Sequence, residues 1–192
     1  MGRVIIGSVV AAIAMVAIGF IFFATPLARI GFSSLDNLQA AAVQQSLAAN
    51  IPGTGTYSVP RPDTPEQTVM FGQGPIATIH YNVGGFSGFD PASLLGGLVL
   101  QFVVALLIGT ALIGIDRRVP DFASRARLVV LFAIAASAFM RLSEPVYFHH
   151  DWRHFIYLFV VNSIVLSSGG LIVARWFLPH ADGARAGAPT DV

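Results

Sequence analysis

The chain has 192 residues, of which 55% are hydrophobic and only 11% are charged, and its formal net charge is +1. Soluble domains carry about 25% charged residues, so this composition excludes an ordinary soluble domain and makes the bilayer the main solvent. The absence of cysteine excludes disulfides, thiolate ligands and thiol nucleophiles. All eleven basic residues are Arg. None of them forms a block dense enough to follow a phosphate backbone, so nucleic acid is not an expected partner.

Four apolar segments predict four membrane-spanning helices: Val4–Phe23, Leu94–Ile115, Leu128–Met140 and Phe155–Phe177. A helix needs about 20 apolar residues to cross the hydrocarbon core, so the third segment must gain a turn at each end. The first segment could instead be a cleavable signal peptide. Its apolar run exceeds the usual core of about 7–15 residues and no clean cleavage site follows it, so we expect a retained helix.

Between the first two spans, residues 30–93 predict a small α+β domain. Ser33-Ser34-Leu35-Asp36-Asn37 has the composition of a helix start, and apolar residues at helical spacing predict an amphipathic helix that ends near Asn50. Tyr57–Val59 can form a short strand. Thr68–Phe71 and Ile76–Tyr81, joined by a Gly-Gln-Gly-Pro turn, predict a β-hairpin.

A resemblance covers nearly the whole chain. Its marks are an outer helix ending in Ala49-Asn50, Gly55-Thr56-Tyr57 with Pro60, Phe71 with Gly74-Pro75, and three later spans with an aromatic-rich turn before the last. The chain resembles a family of small uncharacterised bacterial four-span inner-membrane proteins with an outer α+β insert. The resemblance implies a topology and contributes no chemistry.

Charge predicts the orientation. The connection Asp116–Arg127 contains four Arg, so the positive-inside rule places it in the cytoplasm. Four spans put both termini on that side, in agreement with Arg3, Arg175 and Arg185. Residues 30–93 and Ser143–His154 then face the other compartment, the periplasm of a bacterial inner membrane.

The predicted fold class is an all-α membrane protein: a four-transmembrane-helix bundle with a small α+β extracytoplasmic insert between helices 1 and 2. Residues 1–29 form transmembrane helix 1, residues 30–93 the insert, residues 94–178 helices 2–4, and residues 179–192 a disordered cytoplasmic tail.

Two spans carry small side chains at a spacing of four residues. The stripe of the second span is Gly97, Gln101, Ala105 and Gly109, and that of the fourth is Asn162, Leu166, Gly170 and Ala174. Such stripes let helix backbones approach closely. We expect packing within the bundle, with docking of a partner helix as the alternative.

Polar residues near the outer boundary form a second group. Gln101 and Asn162 each lie about 10 Å below that boundary at a rise of about 1.5 Å per residue, and Arg141 lies above them. The simpler interpretation is an Arg141–Glu144 pair at the interface. The functional alternative is a pocket of Arg141, Gln101 and Asn162 that holds an anionic headgroup or a quinone-like molecule.

The third group is a set of possible metal ligands on the outer side: His149, His150, Asp151, His154 and the distant His80. Neutral imidazoles and a carboxylate suit Zn²⁺ or Cu²⁺. No spacing here matches a known zinc signature. The simpler interpretation is that Asp151 caps the fourth span while the histidines lie among lipid headgroups.

The sequence is compatible with three functions. The leading hypothesis is a non-enzymatic accessory or structural subunit that packs against other membrane proteins or against its own copies. The second is a binding protein for a small ligand, a lipid or quinone, or a metal, through the outer His and Arg cluster. An enzyme is third, because no catalytic arrangement is recognisable. The sequence identifies no cofactor.

Overall fold

The computed structural model describes residues 2–178. It divides into two compact units: Met1–Ser33 with Pro91–Val192, called the helical unit, and Ser34–Asp90, called the small unit. The predicted tail, residues 179–192, lies outside the described residues. In chain order the elements are α1 (Gly2–Phe23), a 3₁₀ turn (Pro26–Ile30), α2 (Asn37–Asn50), β1 (Gly55–Val59), α3 (Pro65–Gln73), β2 (Ala77–Tyr81), α4 (Pro91–Gly114), α5 (Phe122–Phe148) and α6 (Trp152–Ile172), which continues as one π-helical turn (Val173–Phe177).

Four helices of the helical unit are long and apolar enough to cross a membrane: α1, α4, α5 and α6 with its π-helical turn. This confirms the predicted number of spans. The third span gains the turns that its short apolar run required, because α5 extends over 27 residues. Its N-cap is Asp121, whose carboxylate accepts a hydrogen bond of 2.8 Å from the backbone N–H of Ser124. That backbone bond and the Ser124 side chain lower the pKa of Asp121, so the cap stays charged at neutral pH.

The order of packing places α6 at the centre of the helical unit. α5 packs along α6, α6 along α1, and α1 along α4. Glycines allow this crowding on α6, because a Cβ on Gly170 would lie 2.5 Å from a methyl of Val129 on α5. The neighbouring Gly169 meets Met15 of α1 in the same way. Two adjacent glycines therefore let α6 touch helices on two sides.

The small unit contains a two-stranded antiparallel sheet that differs from the predicted hairpin. β1 pairs with β2 from Gly55 opposite Tyr81 to Val59 opposite Ala77. Thr68–Phe71, predicted as a strand, lies inside helix α3. The reason is the signal upstream: Thr64 caps the helix by accepting a 3.2 Å bond from Gln67 N, and Pro65 occupies the first helical position. The hairpin prediction was wrong, whereas the short strand at Tyr57–Val59 is confirmed.

Helix α2 begins with a reciprocal capping box. Gln39 N donates to Asp36 Oδ1 at 2.8 Å and Asp36 N donates to Gln39 Oε1 at 3.3 Å. The predicted end near Asn50 is confirmed. The predicted amphipathic character is wrong, because no residue of α2 is buried and Leu38 and Leu47 lie nine residues apart, on opposite sides of the helix.

Candidate functional site

The first turns of α6 hold the segment that leaves α1. Arg153 Nη2 donates to the carbonyl oxygen of Arg29 at 2.8 Å, and its Nε donates to the carbonyl oxygen of Ile30. Tyr157 OH donates to the carbonyl oxygen of Phe22 at 2.6 Å. These side chains satisfy carbonyls that the end of a helix leaves without partners. The contacts form a clamp, defined here as Arg153, His154 and Tyr157.

His154 is held in the clamp by one ring nitrogen. Its Nδ1 lies 2.9 Å from the carbonyl oxygen of Gly31, and since a carbonyl only accepts, Nδ1 carries the proton. Asp151 accepts bonds from the backbone N–H groups of Arg153 at 3.1 Å and His154 at 3.3 Å. The expected cap of the fourth span is therefore confirmed.

Aromatic rings surround the clamp. Tyr157 meets Phe22, Phe23 and Phe32 edge to face, with ring centroids 6.3–6.4 Å apart. Phe32 in turn lies 4.7 Å from the ring of His154. The sequence around Tyr157 predicts none of these ring contacts. The pairing of Tyr157 with residues more than a hundred positions earlier has no signal in the sequence.

The remaining possible metal ligands have separate surroundings. His149 ends α5 in the left-handed conformation, with φ at 56°. His150 Nδ1 lies 3.2 Å from Glu144 Oε2. His80, in the small unit, has its Nδ1 3.1 Å from Thr56 Oγ1. Within residues 2–178 no three His, Asp or Glu side chains form a group that could hold a metal ion.

Arg141 and Asn162, which the functional alternative places in one polar pocket, do meet. With the amide oxygen of Asn162 turned toward the guanidinium, Arg141 Nε and Nη2 donate to it at 2.8 and 3.2 Å. Glu144, the expected partner of Arg141, is paired with His150 instead. Gln101 is half-buried on α4, and in the described chain it makes no hydrogen bond to Arg141 or Asn162. The guanidinium of Arg141 on α5 thus has a hydrogen-bond partner on the neighbouring helix α6.

The stripe of α4 divides into a packed half and an open half. Ala105 and Gly109 are buried, and a Cβ on Gly109 would lie 2.6 Å from a methyl of Val4 on α1. A Cβ on Gly97 would meet nothing within 4 Å. The α1 face is itself rich in small residues, among them Gly7, Ser8, Ala11 and Ala12, all buried. The small-residue face of α1 was not predicted from the sequence.

The small unit carries a large apolar surface. None of its residues 34–90, all of which the structure describes, is buried. Eleven large apolar side chains are exposed there: Leu35, Leu38, Val43, Val59, Val69, Met70, Phe71, Ile76, Val83, Phe86 and Phe89. Leu38 is 85% exposed and Phe86 78%. Exposed apolar side chains are ones that a partner can cover, so these eleven are the candidates for an interaction surface of the small unit.

Comparison with protein-family models, with curated proteins and with solved structures finds no match to this chain.

Proposed function

We propose that the chain is a non-enzymatic accessory subunit of a membrane-protein assembly, and that the small unit docks a partner protein. The observation that carries the proposal is the small unit's lack of any buried residue beside its eleven exposed large apolar ones. A unit of this size that buries no core gains stability by covering its apolar surface.

The polar side chains of the helical unit support the same proposal. Three sets of its polar side chains have intramolecular partners: Arg141 with Asn162, His150 with Glu144, and the clamp with the segment after α1. A reaction centre would keep such groups directed toward a substrate. The four spans act as an anchor for the docking unit.

The proposal includes a location. The Arg-rich connection between α4 and α5 favours the cytoplasm, so the termini lie there and the small unit lies in the periplasm of a bacterial inner membrane. The resemblance to small four-span bacterial proteins supports the same arrangement.

Purification in a mild detergent from native membranes tests the docking. We expect a partner protein at fixed stoichiometry, and we expect Leu38→Asp with Phe86→Asp to release it, because charges replace two of the most exposed apolar side chains. Arg61→Ser with Asp63→Ser is the control, since it removes an exposed ion pair from the same unit. Equal recovery of the partner by the two double variants would contradict the proposal.

The alternative, a ligand or metal protein, has its own measurement. If the outer histidines bind Zn²⁺ or Cu²⁺, the purified protein contains about one metal per chain, and changing His149, His150 and His154 together to Ala removes it. We expect elemental analysis to find no stoichiometric metal. Metal near one per chain that disappears in the triple variant would replace the docking proposal with the binding one.

A further inference from the structure

An apolar groove of about 360 Å³ lies between α4 and α5. One wall runs from Val104 on α4 to Ile115, which directly follows that helix, and the other from Leu128 to Ala136 on α5; Leu166 of α6 contributes to the lining. The volume is within the range of small-molecule pockets, about 300–1,000 Å³. The groove lies on the helical unit and does not involve the small unit.

The length of the groove matches one leaflet of a bilayer. Val104 and Ile115 are eleven residues apart, which is about 16 Å along a helix. The hydrocarbon core of a bilayer is about 30 Å thick, so one leaflet contributes about half of it. An acyl chain that enters at the helix ends would therefore lie along the groove for the depth of its own leaflet.

The mouth of the groove is basic. Arg117 and Arg118 follow Ile115 by two and three positions, and Arg127 directly precedes Leu128; all three side chains are exposed. Residues 116–127 contain four Arg and two Asp, a net charge of +2. Asp121 directs its carboxylate to the N-terminus of α5, where it accepts from Ser124 N. The basic side chains therefore dominate the potential at the mouth.

Hydrogen bonds hold the connection at the end of α4. Val119 N and Arg118 N both donate to the carbonyl oxygen of Ile115 at 2.9 Å. Arg125 is 1% exposed, and its Nε donates to the carbonyl oxygen of Val119 at 2.7 Å. The backbone that carries Arg117 and Arg118 is thus held at the end of α4, directly after Ile115 of the groove lining.

We propose that this groove binds one anionic phospholipid. An acyl chain occupies the space between α4 and α5, and the phosphate lies at the exposed guanidinium groups of Arg117, Arg118 and Arg127. Arg presents several donors in a planar fork that suits phosphate oxygens. Basic sites between membrane helices recognise lipid headgroups in this way. The mouth is positive and the apolar slot is one leaflet long. An anionic phospholipid matches both features, whereas an apolar helix has no anionic group to pair with the Arg side chains.

Native mass spectrometry of the full chain, in micelles with equal amounts of phosphatidylcholine and phosphatidylglycerol, tests the site. We expect one phosphatidylglycerol to be retained per chain, at least fivefold in excess of phosphatidylcholine. Arg117→Gln with Arg118→Gln should remove this selectivity. Arg29→Gln with Arg61→Gln, which lowers the net charge by the same amount in other parts of the chain, should keep it.

A second pair of variants tests the groove itself. Ala136 lines the groove and Ala135 does not, although both are exposed on α5. Ala136→Phe should fill the slot and reduce retained lipid at least fivefold, whereas Ala135→Phe should bind as the unchanged chain does. Thermal melting in phosphatidylcholine micelles establishes that each variant is folded.

Three results would overturn the proposal. Equal retention of the two lipids would show that the charge does not select, and equal binding by the two Ala variants would show that the groove is not the site. Dimers that Ala136→Phe abolishes would show that a second copy of the chain occupies the groove.

Discussion

At the scale of single residues, the clamp shows how one position is fixed by several kinds of contact. Tyr157 is buried, donates to the carbonyl oxygen of Phe22, and meets three phenylalanine rings. Gly31 lies against the same ring, because a Cβ there would come within 2.5 Å of it. The segment that follows α1 therefore packs closely against the first turns of α6.

Tyr157→Phe is expected to lower the free energy of unfolding by about 0.5–1.5 kcal/mol, since it removes one buried hydroxyl bond and leaves the rings in place. Tyr147→Phe is the control, because Tyr147 is 75% exposed. Unfolding of both variants in the same detergent measures the difference. An equal effect of the two changes would show that the Tyr157 hydroxyl does not stabilise the clamp.

The residues of the clamp also show what a sequence can predict at this scale. Asp151 as a helix cap was predicted, because the signal for a cap lies within four positions. The partners of Arg153 and His154 were not, because backbone carbonyls have the same chemistry everywhere and only the fold selects which ones are near. The contact of Arg141 with Asn162 was included in the alternative of a polar pocket near the outer boundary, whereas the Glu144–His150 pair was missed.

At the scale of elements, small residues decide which helices approach closely. The packed half of the α4 stripe and the small-residue face of α1 meet at Gly109, next to Val4. A Cβ on Gly109 would also lie 3.2 Å from a methyl of Val173, in the π-helical turn. Three segments of the chain thus share one point of close approach.

Gly109→Leu is expected to lower the free energy of unfolding by about 1–3 kcal/mol or more, since the new side chain would overlap Val4. Val103→Leu should change it little, because Val103 is 44% exposed on the same helix. Thermal melting in detergent compares the two. Equal melting temperatures would show that the small-residue stripe of α4 does not determine how the helices pack.

The elements differ in how well the sequence predicts them. The four long helices follow from apolar length, a signal that holds wherever the solvent is lipid. The small unit was predicted less well, because Thr68–Phe71 has strand-forming residues and a cap at Thr64 overrides them. In α2 the apolar residues recur at nearly helical spacing, yet they do not gather on one face. In α3, by contrast, capping outweighed the local strand propensity.

At the scale of the whole molecule, orientation is the first expectation to test. Reporter fusions at Thr64 and at Pro120 should show export of Thr64 and retention of Pro120, since four Arg surround Pro120 in the connection. Activity of an exported reporter at Pro120 but not at Thr64 would reverse the orientation, and with it the side of the membrane on which a partner is sought.

The absence of cysteine makes a sharper measurement of the central claim available, because an introduced cysteine is the only thiol. Leu38→Cys places it on the exposed apolar surface of the small unit, and Asp63→Cys places the control thiol on an exposed polar site of the same unit. Each variant is labelled with a water-soluble maleimide in permeabilised native membranes, and again after purification into protein-free liposomes.

If the small unit docks a partner protein, the thiol at position 38 is protected at least severalfold in native membranes and reacts freely in liposomes, while the thiol at position 63 reacts in both. Equal labelling of position 38 in the two preparations would contradict the docking of a protein there, whether the thiol is open in both or covered by lipid in both.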